Sequence, residues 1–231
     1  MCSANIPAYA TTYNPSSSTY ASSSSYEEKA YSDDEVASTI VEISKKHAIP
    51  SDVLFALVSV ESDFEPLAIA VETTRASAEI LEKLRSPSIK VVFGDRRTFH
   101  SQKSVISVYP SDRETAHFII GALKQQGFCF DVGLMQINTV NFKLSETDAL
   151  FDPKNNLNKA ATVIGHCKKA FRSLKNQIEC YNRGAGNLAA ALRRAKKSKK
   201  PMRYPYWKRF KEDYVSYFGK EALKIRIKEG L

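Results

Sequence analysis

The sequence is short of several things, and each shortage removes a class of function. No stretch approaches the roughly 20 consecutive apolar residues that a membrane-spanning helix requires, so no transmembrane segment is predicted. The first basic residue is Lys29 and no continuous apolar segment precedes it, so no secretion leader is legible. The opening Met1-Cys2 fits an ordinary exposed cysteine better than a lipid-anchored end, since no leader precedes Cys2. His47, His100, His117 and His166 show no paired ligand spacing and no Cys-x-x-Cys occurs, which predicts neither a metal nor a cofactor. Residues 1–34 lack aliphatic periodicity: "NPSSSTYASSSSYEEKAYSDD" reads as a Ser/Tyr-rich disordered arm.

Acidic residues are also missing from one place. Ten of the 34 Lys and Arg residues, and none of the 25 Asp and Glu residues, lie between Arg193 and Lys211. The pI near 9.3 therefore reports one local patch. That weakens a nucleic-acid reading and keeps an anionic polymer or membrane surface as a neighbour. "RRAKKSKKPMRYPYWKRFK" does interleave Tyr204, Tyr206, Trp207 and Phe210 with charge, as single-strand binders do. However, Trp207, Phe210, Tyr214 and Phe218 recur at spacings of three and four, the pattern of a helix packing on a core. The packing reading is favoured, and no nucleic-acid partner is expected.

What is present is mainly helical punctuation. At 231 residues the chain can bury one core, and one domain over 35–219 is expected, followed by a tail at 220–231. Ser32 with Glu35 makes a capping-box pattern, after which Val36, Ile40 and Ile43 share a helical face. Pro50 and Ser51 start the next helix, where Val53, Leu54, Phe55, Ala56, Leu57, Val58 and Val60 surround the axis. Glu61 closes that helix. Partial desolvation and the negative end of the helix dipole both disfavour an ionised carboxylate there, so a raised pKa is expected. A glutamate that simply emerges into solvent at a helix end fits the same spacing.

Three later stretches change the balance: "DVGLMQINTVNF" from Asp131, "LFDPKNNLNKA" from Leu150 and "IECYNRGAGNL" from Ile178. Singly each has a structural account, with Gly133 permitting a tight backbone, Asp152-Pro153 opening a helix, and Gly184 and Gly186 ending one. Together with "VESDFEP", and in this order, they resemble the lytic transglycosylases of the lysozyme-like fold, over about Ile40 to Leu188. The resemblance implies a mainly α (α+β) lysozyme-like fold with an insert at 71–130, between the glutamate and the Gly-Leu-Met-Gln run. The phrase "ALKQQGFCFDVGLMQIN" and the pair Cys180-Tyr181 resemble the branch that accompanies type IV secretion and conjugation systems.

The insert has its own pattern. "TRASAEILEKLR" puts Ile80, Leu81 and Leu84 on one helical face, "IKVVF" and "SVISVY" read as strands around Gly94-Asp95, and Ser111 with Glu114 caps a helix ending near Gly127. In the resembled fold such strands wall a sugar cleft, which the insert would lengthen or narrow. An insert that docks a secretion partner fits equally well.

Carried over residue by residue, the resemblance makes Glu61 the catalytic acid and Ser62 a helix-end or cleft hydrogen-bonding group. Gln136 reaches toward a sugar acetamido or hydroxyl group, while Met135 packs beneath. Tyr181 is the tyrosine whose hydroxyl faces the catalytic carboxyl, and Asn138 and Asn182 are substrate ligands. Arg183 departs from the pattern, since a small residue usually stands there. The implied chemistry uses one carboxyl group where most glycosidases need two. The acid protonates the oxygen bridging N-acetylmuramic acid and N-acetylglucosamine, then accepts the proton of the muramyl 6-hydroxyl, which closes an anhydro ring on C1. The implied partner is the peptidoglycan glycan strand, with secretion channel components beside it, the implied compartment is the periplasm, and a monomer is expected.

Two other readings stand beside it. A goose-type lysozyme-like hydrolase would need a second carboxylate; Asn138 occupies the place where those enzymes tend to carry an aspartate, and Asp131 and Asp95 read more simply as turn or cap residues. A non-catalytic glycan-binding or scaffold component would be expected to lack Glu61. Cys167 and Cys180, 13 positions apart, could pair in an oxidising periplasm, with two buried thiols or a pairing through Cys129 as alternatives.

Overall fold

The computed structural model describes residues 31–74, 81–93 and 103–231. The expected disordered arm falls almost wholly outside them, as do the Gly94-Asp95 turn and the first part of the "TRASAEILEKLR" helix. The chain divides into two compact units, one made of 33–64 and 153–231, the other containing 65–152.

The first unit is helical. Its helices are α1 (Asp33–His47), α2 (Ser51–Ser62), α4 (Pro153–Ala170), α5 (Leu174–Arg183), α6 (Ala185–Ser198) and α7 (Pro205–Glu229). α1 carries acids in its first turn and bases in its last, complementing its dipole, and buries Val36, Ile40 and Ile43 as their spacing predicts. α2 is buried on most sides and packs on α1 and α7. Trp207, Phe210 and Tyr214 of α7 are buried in a ladder of ring contacts, the first two stacked with centroids 5.5 Å apart. Phe218, next in the same period, is 38% exposed.

The stretch 220–231, expected as a tail, continues as helix to Glu229 after a break at Gly219, whose φ of 85° lies where side chains are disfavoured. Beyond the break Leu223 is buried, and Arg226 donates through Nε to Asp52 at 3.1 Å. Tyr214 also donates to Asp52. Burial, then the bond and charge of Asp52, push that phenol up to about 12.

Cys167 on α4 is bonded to Cys180 on α5, not to Cys129, with Cα atoms 5.7 Å apart. The pair lies in a small buried cluster with Leu188, flanked by Phe171, Leu192 and Met202. Replacing both cysteines by serine is expected to lower unfolding stability by about 3 kcal/mol, the chain-entropy value for a loop of this length. Denaturant titration of the pair variant measures it, and an unchanged midpoint contradicts it.

The second unit holds a five-stranded antiparallel sheet in the order β2-β3-β1-β4-β5, from β1 (Ile69–Thr74), β2 (Ile89–Phe93), β3 (Lys103–Pro110), β4 (Phe130–Val132) and β5 (Ile137–Asn138). Alternation buries Ile69, Val71, Val91, Ile106, Val108, Phe130 and Val132, while Val92 and Val105 are exposed. α3 (Arg113–Gln125) packs on β3 and buries Ala116, Ile119, Ile120 and Leu123. Its cap is Asp112 and not Ser111: Asp112 Oδ1 accepts from the Thr115 N–H at 2.7 Å. Both residues are good caps, and the carboxylate is placed to meet the first turn. The two predicted insert strands are β2 and β3, and β3 pairs with β1, so they are built into the sheet.

Candidate active site

α2 ends abruptly. Asp63 closes it in the left-handed conformation with φ 54°, its N–H donating to Ser59 O, and Phe64 follows with φ 62°. Two successive left-handed residues that are not glycine cost energy and are kept only where packing over-determines them. Phe64 is held against Phe55 at 4.6 Å between ring centroids. The reversal leaves Glu61 half-buried in the last turn. The Val60 carbonyl, one of the four a helix end leaves unpaired, accepts from Arg209 Nη2 at 2.8 Å.

A hydroxyl from α7 meets Glu61. Tyr206 donates to Glu61 Oε1 at 2.5 Å, across 145 positions of sequence. Burial first, then the Glu61 charge and this bond, hold the Tyr206 phenol well above its ordinary value, with Tyr181 adding to the rise and Arg209 opposing it. Tyr206 therefore remains a donor throughout the neutral range. Tyr181 acts on Tyr206 electrostatically, so α5 brings it to the same group. Asn182 beside it is exposed. Ser62 is buried and its hydroxyl donates to the Val58 carbonyl at 3.3 Å, a bond that stays within the helix.

The sheet unit places the other expected residues. Gln136 has φ 44°, and its side-chain Nε2 donates to Ala68 O at 3.2 Å and Gly133 O at 2.8 Å. Both amide hydrogens are used, which leaves Oε1 as the acceptor of that group. Met135 is fully buried, as packing predicts. Asn138 donates through Nδ2 to Asp131 Oδ1 at 2.7 Å and accepts the Val140 N–H at 3.0 Å, holding β5 to β4 and capping the short turn that follows. Burial, helped by the charge of Glu72 and opposed by the Asn138 bond, raises Asp131 to about 6.

Against this geometry, the family model for the transglycosylase SLT domain matches residues 38–203. The chain belongs to the transglycosylase SLT domain family. No curated protein and no solved structure matches it. Membership makes the fold lysozyme-like and the protein a lytic transglycosylase, a lyase that binds and cleaves peptidoglycan outside the cytoplasm. Among the described residues no helix is long and apolar enough to cross a membrane, and no group of three or more metal-ligating side chains occurs.

Of the residues singled out from sequence, Glu61, Ser62, Tyr181 and Asn182 lie in the helical unit of this SLT domain, and Gln136 and Asn138 in the sheet unit. Tyr206 was missed. Its stretch carried two readings, core packing and base stacking, and neither periodicity nor charge distinguishes one tyrosine hydroxyl there.

Asp131 gives a pH prediction. Its folded pKa of about 6 exceeds the ordinary 3.8, so the folded state binds more protons than the unfolded one between those values and stability falls as pH rises through that window. Asp131→Asn keeps a carbonyl acceptor for Asn138 and is expected to raise stability at pH 7 by roughly 3 kcal/mol, with little gain at pH 3.5. Thermal unfolding at both pH values checks this; an equal gain at both rules out the ionisation as cause.

Proposed function

We infer that this chain cleaves the β-1,4 bond between N-acetylmuramic acid and N-acetylglucosamine and releases a 1,6-anhydromuramyl end, with Glu61 as the single acid and base. The observation that carries the reading is the half-buried Glu61 carboxyl with Tyr206 donating to Oε1 at 2.5 Å. The protonated Glu61 carboxyl gives its proton to the bridging oxygen. The resulting carboxylate then takes the 6-hydroxyl proton as that oxygen closes on C1. Charge returns to its starting value and no water is consumed. Asn138, an amide bonded to Asp131 and the Val140 N–H, cannot serve as the base a hydrolase needs.

Gln136 presents an acceptor, so its partner on the sugar is a donor, an acetamido N–H or a hydroxyl. Tyr181 and Asn182 are the further ligands in this reading. Mass spectrometry of fragments released from purified cell wall tests it, because the anhydro product is lighter than a hydrolysed reducing end by one water. Only ordinary reducing ends would contradict the transglycosylase reading in favour of hydrolysis.

The setting proposed is the periplasm, opening the wall for a secretion or conjugation apparatus, on the strength of the "ALKQQGFCFDVGLMQIN" phrase and the insert at 71–130. The lysines and arginines of the stretch from Arg193 to Lys211 supply attraction to the anionic wall, and the part this stretch takes in the chemistry belongs to Tyr206. That attraction should weaken as salt shortens the Debye length to about 8 Å at physiological ionic strength. Co-pelleting with peptidoglycan at rising salt is expected to show loss of the bound fraction, and retention indifferent to salt removes the stretch as anchor.

A further inference from the structure

α7 begins without a cap of its own. Tyr204, the residue before Pro205, makes no side-chain bond to the first turn, although a helix start leaves its first N–H groups to satisfy, here three because Pro205 carries none. One of them is met from α5. Glu179 Oε2 accepts the Trp207 N–H at 2.9 Å, which puts a fully buried carboxylate at the positive end of the α7 dipole. Its other oxygen accepts from Arg183 Nε at 2.6 Å, and Arg183 Nη2 donates to the Arg203 carbonyl at 3.4 Å. One turn earlier, the Lys175 ammonium lies 3.6 Å from the centroid of the Tyr204 ring.

Lys175, Glu179 and Arg183 are spaced by four and share one face of α5. That face holds residues 203, 204 and 207 together. Tyr206 sits inside the turn so held, and it is the residue whose hydroxyl meets Glu61. A carboxylate with no exposure is costly to bury, and Arg183 supplies the countercharge that makes it tolerable. The arginine that departs from the pattern of the family therefore has a partner one turn away.

The geometry points to Glu179 and Arg183 as positioning residues: they fix the first turn of α7 so that the Tyr206 hydroxyl stays on Glu61 Oε1. The inference rests on the reading of Glu61 as the acid. A pair serving stability alone would lower the unfolding temperature without touching turnover by the folded fraction. A positioning pair acts through the hydroxyl and has no effect on turnover once that hydroxyl is removed.

The test uses the full chain and cell-wall cleavage, with Glu179→Gln made alone and together with Tyr206→Phe, and with Glu61→Gln measured in parallel. Glu179→Gln alone is expected to lower kcat on the order of tenfold, a size usual for coupling inside one hydrogen-bonded network, with KM nearly unchanged. In the Tyr206→Phe background the same change should cost less than about twofold. Losses that multiply in full overturn the inference, as does a Glu179→Gln enzyme with wild-type kcat. If Glu179→Gln does not fold, Arg183→Lys, on a partly exposed side chain, takes its place: a several-fold loss of kcat confined to the Tyr206 background supports the inference, and any other result overturns it. Full activity of Glu61→Gln overturns the acid assignment and this inference together. An inactive Glu61→Gln with multiplying Glu179 losses overturns this inference alone.

Discussion

Glu61→Gln is expected to fold as the parent does and to lose cleavage by on the order of 100- to 10,000-fold, the range that general acid catalysis supplies. The fold should survive because the residue stands in the last turn of α2, beyond Val53, Leu54, Leu57 and Val58, which make the buried body of that helix. Glutamine also keeps a carbonyl oxygen that can accept from Tyr206, so the shape of the bond at Oε1 is retained. What it removes is the proton to be given and the carboxylate to receive one, which are both halves of the proposed cycle. Steady release of soluble fragments from purified wall, measured beside a thermal unfolding curve, separates chemistry from folding. A folded Glu61→Gln protein with full activity would place the acid elsewhere.

The parts of this fold that repeat along the sequence were legible in it. The near-continuous apolar run of α2, the alternation in "IKVVF" and "SVISVY", and the spacing of Trp207, Phe210 and Tyr214 each report burial, because burial follows the period of the backbone. Among the residues of the proposed site, Glu61 and Tyr181 are singled out in the sequence only because a local motif carries them. Tyr206 has no such mark. It belongs to the site because α2 and α7 pack, and that is a long-range fact which one tyrosine among several in a basic stretch cannot announce. Arg183 shows the same limit from the other side. Read locally it is a departure from a small residue; its meaning lies in Glu179 and the Arg203 carbonyl. The cap of α3 moved by one residue for a smaller reason, since Ser111 and Asp112 both suit a helix start and only the turn geometry selects between them.

Tyr206→Phe is expected to reduce kcat by about 10- to 100-fold, more than Tyr181→Phe. A hydrogen bond to a charged group contributes about 1.5 to 3 kcal/mol, and the carboxyl passes through its charged form midway in the proposed cycle. Tyr206 meets that charge directly through the 2.5 Å contact, whereas its hydroxyl is kept protonated by burial and by Glu61 itself. Phenylalanine fills the same buried space, so the loss should appear in turnover with little change in KM or unfolding temperature. Tyr181, which acts on Tyr206 through its field, should cost only a few-fold when its hydroxyl is removed. Single-turnover cleavage of a defined glycan by the two variants decides the order. If Tyr181→Phe is the more damaged enzyme, the hydroxyl that serves the acid in the reacting complex is that of Tyr181, and the Tyr206 contact belongs to the resting state alone.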